Sequence, residues 1–150
     1  MLSEQPIFTA RAELAEILHF GATPFGVRRV INILGGRVEG PRLRGRILPG
    51  GADWQLIRAD AVADIHARYT IQADDGAHIL VESLGLRHGP PEVIEQLARG
   101  DPVDPSRYYF RTVMRFETAD PQFAWLNRII ALARGARERL AVRLDVFEVL

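Results

Sequence analysis

The 150-residue sequence contains no cysteine and no lysine. The first absence excludes disulfides, thiolate metal ligands and cysteine nucleophiles together, and suits a reducing compartment. The second places all basic side-chain charge on arginine, a planar donor that grips carboxylates and phosphates in bidentate fashion, although GC-rich coding produces the same bias. A net charge of one sign is lacking too, because 19 basic and 19 acidic residues cancel. No global field then draws the chain to nucleic acid or to an anionic membrane, and neither is expected as a partner. No apolar run approaches the roughly 18 residues of a membrane span, and Met1-Leu2-Ser3-Glu4-Gln5-Pro6 holds neither a basic stretch nor the apolar centre of a signal peptide. A cytoplasmic protein is expected. Repeats, low-complexity tracts and long linkers are absent as well, so residues 1–150 read as one domain, long enough to bury most of its unfolded surface without a staple.

What the sequence does have is alternation. Ala63, Ile65, Ala67, Tyr69, Ile71 and Ala73 alternate with Asp64, His66, Arg68, Thr70 and Gln72, the period of a half-buried strand. Asp75-Gly76 follows, a two-residue hairpin signal that pairs 61–74 with 77–87. Similar patterns predict strands over 8–18, 27–38, 43–48, 54–60, 108–117, 125–134 and 140–149, separated by glycine- and proline-rich joints. Residues 91–99 read as a helix, with Val93, Ile94 and Leu97 on one side and Gly100 as its stop. The stretch 125–139 carries a helical alternative. The whole predicts an all-β, antiparallel barrel or sandwich with one short helix.

Several segments carry a resemblance. Gly36-Arg37-Val38-Glu39-Gly40-Pro41, Pro49-Gly50-Gly51-Ala52-Asp53-Trp54, Ala67-Arg68-Tyr69 and Asp75-Gly76 stand in order along the chain. Tyr108-Tyr109-Phe110-Arg111-Thr112, Phe116-Glu117-Thr118 and Trp125-Leu126-Asn127 follow. In these the chain resembles the bacterial proteins grouped as domain of unknown function 3237, over nearly its whole length. The resemblance implies a closed, lipocalin-like (calycin-type) β-barrel of about eight to ten strands, a fold that commonly encloses a small apolar or amphipathic molecule. It brings no reaction and no functional residues with it.

Candidate site residues therefore come from pattern. A two-residue turn at Asp75-Gly76 sets Tyr69 opposite Glu82 and Arg68 opposite Ser83. A phenol and a carboxyl on an apolar wall suit proton transfer, since desolvation raises a carboxyl pKa, or they form a hydrogen bond that closes one end of the core. The turn before Asp53 and Trp54 resembles a barrel mouth, with Asp53 as base or ligand orienter and Trp54 as pocket wall, or else as turn cap and core. Along 108–117, Tyr109, Arg111, Arg115 and Glu117 share one face. Turned inward, Arg111 receives an oxyanion and Glu117 sets it; turned outward, they form a solvated charge network. Trp125 and Asn127 share a strand face suited to ligand orientation or to a backbone-bonded amide.

Glu82, Tyr69, Asp53 and Arg111 are thus the catalytic candidates. Trp54, Arg68, Tyr109, Glu117, Trp125 and Asn127 are the ligand-binding ones. His19, His66, His78 and His88 lack metal-ligand spacing, no serine sits in a nucleophile elbow, and no glycine-rich phosphate loop occurs. The expectation is a small-molecule pocket without metal or cofactor. It serves either acid/base chemistry on a carbonyl-bearing or aromatic metabolite, or binding alone. A homodimer is a separate expectation.

Overall fold

The structure, a computed structural model, describes residues 1–150. Its strands are β1 (Phe8–Leu14), β2 (Leu18–Thr23), β3 (Gly26–Glu39), β4 (Gly45–Ile47) and β5 (Gly51–Ile57), then β6 (Ala63–Ala73) and β7 (His78–His88). The helix α1 (Pro91–Arg99) follows, then β8 (Tyr109–Glu117), β9 (Ala131–Arg137) and β10 (Ala141–Glu148). All pairings are antiparallel.

Closure follows from where the chain breaks its own strands. Pro49-Gly50 interrupts one long strand, so that β4 and β5 run in the same direction between β3 and β6 and fill a single place in the wall. On the other side of β3, β1 pairs with 33–39 and β2 with 26–30, again as one strand broken at Ala15–Ile17. The β1–β3 pairing then joins the ends of the sheet into a closed eight-stranded barrel. β2 peels away as a flap paired only with β3. No helix is long and apolar enough to cross a membrane.

The alternation from Ala63 to Ala73 holds, and its apolar phase faces the interior. The hairpin after it differs from expectation. Ala73 pairs with Ala77 across a three-residue loop, with Asp75 Oδ1 accepting from the Ala77 amide at 3.1 Å and Gly76 at φ +96°. A two-residue and a three-residue turn are both compatible with Asp74-Asp75-Gly76, and the difference of one residue flips a strand face. Tyr69 therefore stands opposite Val81, Arg68 opposite Glu82, and Ser83 takes the inward position.

The predicted strand at 125–134 also starts late. Pro121–Arg128 forms 3₁₀ turns initiated by the Asp120 carboxylate, which accepts from the Gln122 amide at 2.8 Å. These turns press Phe123 and Leu126 onto one end of the barrel, closing it with apolar packing. At the other end α1 lays Val93 and Leu97 over Ala63, Ile65, Tyr108 and Phe110. Helix α1 ends as expected at Gly100, in the left-handed region at φ +80°.

Candidate functional site

The end beneath α1 is where charge enters the barrel. Arg29 on β3, Arg87 on β7 and Arg137 on β9 each continue the inward phase of their strand, after or before residues such as Ile31, Val81 and Ala133. Asp53 and Gln55 on β5 face the same interior, beside Ile31 and Arg29 respectively. Gln55 is fully buried and links the two charges: its Nε2 donates to Asp53 Oδ2 at 3.0 Å, and its Oε1 accepts from Arg29 Nε at 3.0 Å. Asp53 Oδ1 also accepts the His66 amide at 2.9 Å. Arg137 is held by its own backbone, whose amide donates to the buried Tyr108 hydroxyl at 2.8 Å. Replacing Tyr108 with phenylalanine leaves that amide unpaired. We expect a loss of about 1–2 kcal/mol, read as a lowered urea midpoint at constant slope.

Arg87 is different in kind. It is 8% exposed, and its Nε has no hydrogen-bond partner in the protein. None of the chain's seven ion pairs involves Arg29, Arg87 or Arg137; all lie at the surface or partly exposed. Burial, reinforced by the neighbouring charges of Arg29 and Arg137 and opposed by Asp53, brings the Arg87 guanidinium down to about 10. Burial also lowers Arg29 and Arg137, the latter with a further push from the charge of Arg29, and Asp53 opposes both shifts. Burial raises the Asp53 carboxyl, against hydrogen bonds from His66 and Gln55 and the pull of Arg87 and Arg29. Three guanidiniums against one carboxylate leave this layer with an excess of positive charge.

The layer divides two spaces. Arg87 and Arg137 line both an inner chamber of about 60 Å³, shared with Asp53, Tyr69 and Thr112, and an outer vestibule of about 400 Å³ under α1. The vestibule is walled by α1, Leu140 and the Ala15–Ile17 break.

Of the residues expected from sequence, the structure brings Asp53 and Tyr69 into this chamber. It does not bring Glu82, which the three-residue turn puts on the outer wall opposite Arg68 and Arg115. Arg68 is exposed beside Trp54, which is itself 43% exposed on the outer wall. The Pro49–Trp54 segment is thus a break in mid-wall and not a mouth. Tyr109, Arg111, Arg115 and Glu117 all face outward: Arg111 donates to the Phe110 carbonyl at 2.9 Å and Tyr109 stacks on His88. Trp125 lies in the 3₁₀ turns under Arg42, whose guanidinium sits 3.6 Å from the ring centre. Asn127 ties down the Thr118 backbone, accepting from its amide at 2.8 Å and donating to its carbonyl at 2.9 Å. No cluster of three His, Asp or Glu side chains is placed to hold a metal. Sequence reasoning missed Arg29, Arg87 and Arg137, although an arginine standing in the apolar phase of a strand was a signal open to it.

Comparison with known proteins fits this architecture. The family model described as "Protein of unknown function (DUF3237)" matches residues 2–149. The chain belongs to this family. A UPF0311 protein of Rhodopseudomonas palustris is 42% identical over 149 residues, covering 99% of this chain and 97% of that protein. The crystal structure of a conserved protein of unknown function from the same organism superposes with a TM-score of 0.92 at 41% identity, covering 100% of this chain and 98% of that one. A β-barrel-like protein from Acinetobacter baumannii gives 0.85 at 40% identity, covering 99% and 96%. An enzyme from Penicillium herquei shares the fold, with a TM-score of 0.68 at 19% identity and 96% of each chain covered.

Proposed function

We propose that the barrel takes up a small carbonyl-bearing acid whose anionic oxygen rests on Arg87, and that Asp53 exchanges a proton with it. One observation carries this reading: Arg87 is buried and has neither a hydrogen-bond partner at Nε nor a carboxylate in ion-pair contact. A buried guanidinium without a partner is costly, and an anionic ligand supplies the missing acceptor. Arg29 and Arg137 strengthen the same potential. In a chamber walled mainly by apolar side chains, an oxyanion gains more from such preset charges than it does in water.

The chemistry balances without an external oxidant or hydride. Asp53 removes a proton from the carbon beside the carbonyl, the electron pair moves onto the carbonyl oxygen, whose developing charge is offset by Arg87 as it holds the neighbouring acid group, and return of the proton completes an isomerisation or an exchange. Burial lifts the Asp53 carboxyl toward the range where it exchanges protons readily. Against catalysis stands one feature: both Asp53 oxygens already accept hydrogen bonds, from Gln55 and the His66 amide, as in a group that only positions its neighbours. That feature favours the second reading, binding without turnover.

Deuterium uptake from solvent at C3 of 2-oxobutanoate, the carbon beside its ketone, followed by NMR, separates the two. Asp53→Asn should slow exchange by about 100-fold or more. Binding should stay equal or tighten, because a negative charge has left the anion site. Glu82→Gln, on the outer wall, should exchange at the wild-type rate. Binding without exchange in the wild type would establish the carrier reading. An unchanged rate in Asp53→Asn would remove Asp53 as the base.

A further inference from the structure

Further along the inner chamber stand two more polar atoms without a protein partner. Tyr69 Oη on β6 and Thr112 Oγ1 on β8 are unpaired, in residues only 4% and 3% exposed. Both line the chamber that Arg87 and Asp53 line, together with the buried Ser83 of β7. Leaving a buried hydroxyl unpaired costs roughly 1–3 kcal/mol, and phenylalanine and valine would fill the same space without that cost. Two such hydroxyls facing one small cavity, next to an unpaired arginine, form a pattern of donors kept for a ligand. Burial holds the Tyr69 phenol protonated, so it acts as a donor. The wall around them, including Ile31, Ile33, Ala67 and Leu144, offers nothing to a second charge.

We infer that Tyr69 and Thr112 form a second, neutral subsite that receives a ketone or hydroxyl oxygen of the ligand whose acid group rests on Arg87. The inference depends on that reading of Arg87 and adds the substrate class: a short carboxylic acid bearing an oxo or hydroxy group. Size sets the upper limit. A chamber of about 60 Å³ is well below the roughly 150 Å³ of a cavity that admits benzene, so the end reaching past the arginines is a few atoms long and not a ring. Any bulkier part stays in the vestibule beneath α1.

Calorimetric titration of the whole chain with butanoate, 2-oxobutanoate and 3-hydroxybutanoate tests the assignment. In the wild type at least one oxygenated acid should bind about tenfold or more tightly than butanoate. In the double variant Tyr69→Phe, Thr112→Val that preference should collapse to within about twofold while butanoate affinity holds, since each change removes only a hydroxyl or swaps it for a methyl. Both substitutions remove an unpaired buried group, so the melting temperature of the double variant should stay level or rise, which certifies the fold. Arg87→Met should weaken all three acids. Equal affinities in the wild type, or a preference that survives the double variant, overturns the second subsite and leaves the Arg87 site standing. Failure of every acid to bind the wild type overturns the Arg87 reading, and the subsite falls with it.

Discussion

Arg87→Met is expected to melt about 6–12 °C above the wild type while losing its response to carboxylic acids. The guanidinium sits at about 10 because burial and the flanking Arg29 and Arg137 disfavour its charge. Each tenfold change in acidity is worth about 1.4 kcal/mol, so the displacement from the ordinary arginine range above ~12 amounts to about 3 kcal/mol of native-state cost. A domain of this size gains about 2–4 °C for each kcal/mol. The sign can be checked independently. A base whose folded pKa is depressed carries its full penalty below that pKa, so the advantage of the variant should be complete at neutral pH. It should begin to shrink only as the pH climbs past about 10, where the wild type sheds the proton. Methionine conserves much of the volume and relieves the repulsion on Arg29 and Arg137. Asp53 loses one of its two cations in exchange, which trims the gain. Stability withheld at a charged, unpaired group is the usual mark of a site shaped for something other than folding. Differential scanning calorimetry decides the matter: an unchanged or lowered melting temperature would show that Arg87 is already paired and needs no ligand.

Gly36→Val is expected to have the opposite effect, a loss of roughly 3–5 kcal/mol or failure to fold. Gly36 stands opposite Ala12 on the β1–β3 seam, the pairing that closes the barrel. Its backbone lies at φ +149°, and a Cβ there would fall 2.0 Å from the Arg11 carbonyl oxygen. Neither strand can retreat, because β3 is held on its far side by β4 and β1 by β10. Gly50→Ala is the control. Gly50 also has a left-handed backbone, at φ +110°, yet a Cβ there meets nothing within 4 Å. Only conformational strain remains, roughly 1–2 kcal/mol. Urea denaturation of the pair should show a midpoint shift at least about twice as large for Gly36→Val. Equal shifts would mean that backbone approach at the seam is not what demands glycine.

The parts of the fold that were legible in the sequence are those governed by local pattern. Ala63 to Ala73 announced a two-faced strand, Pro91 to Gly100 a capped helix, and the glycine- and proline-rich joints the places where strands end. The Asp75-Gly76 hairpin was legible as a hairpin and not as a register. Its three-residue loop moved Glu82 to the outer wall and Ser83 to the inner one. The same kind of ambiguity hid the 3₁₀ turns of Pro121–Arg128, whose apolar residues serve an end-cap as well as they would a strand.

The sequence by itself determined the class of the fold, the places where its strands turn, and the grouping of Tyr69 with Ile65, Ala67 and Ile71 on one strand face. The class and the grouping follow from periodicity, a property of neighbours along the chain. Only the tertiary structure decided that Arg29, Arg87 and Arg137 share a layer with Asp53, and that the Tyr69 and Thr112 hydroxyls lie beyond it unpaired. The physical reason is closure. Those groups come from β3, β5, β6, β7, β8 and β9, and nothing in the local chain records which of them meet when β1 seals against β3. An arginine in an apolar phase signals an inward charge, but what it meets is set only when the barrel around it is complete. Only then does its lack of a partner become visible.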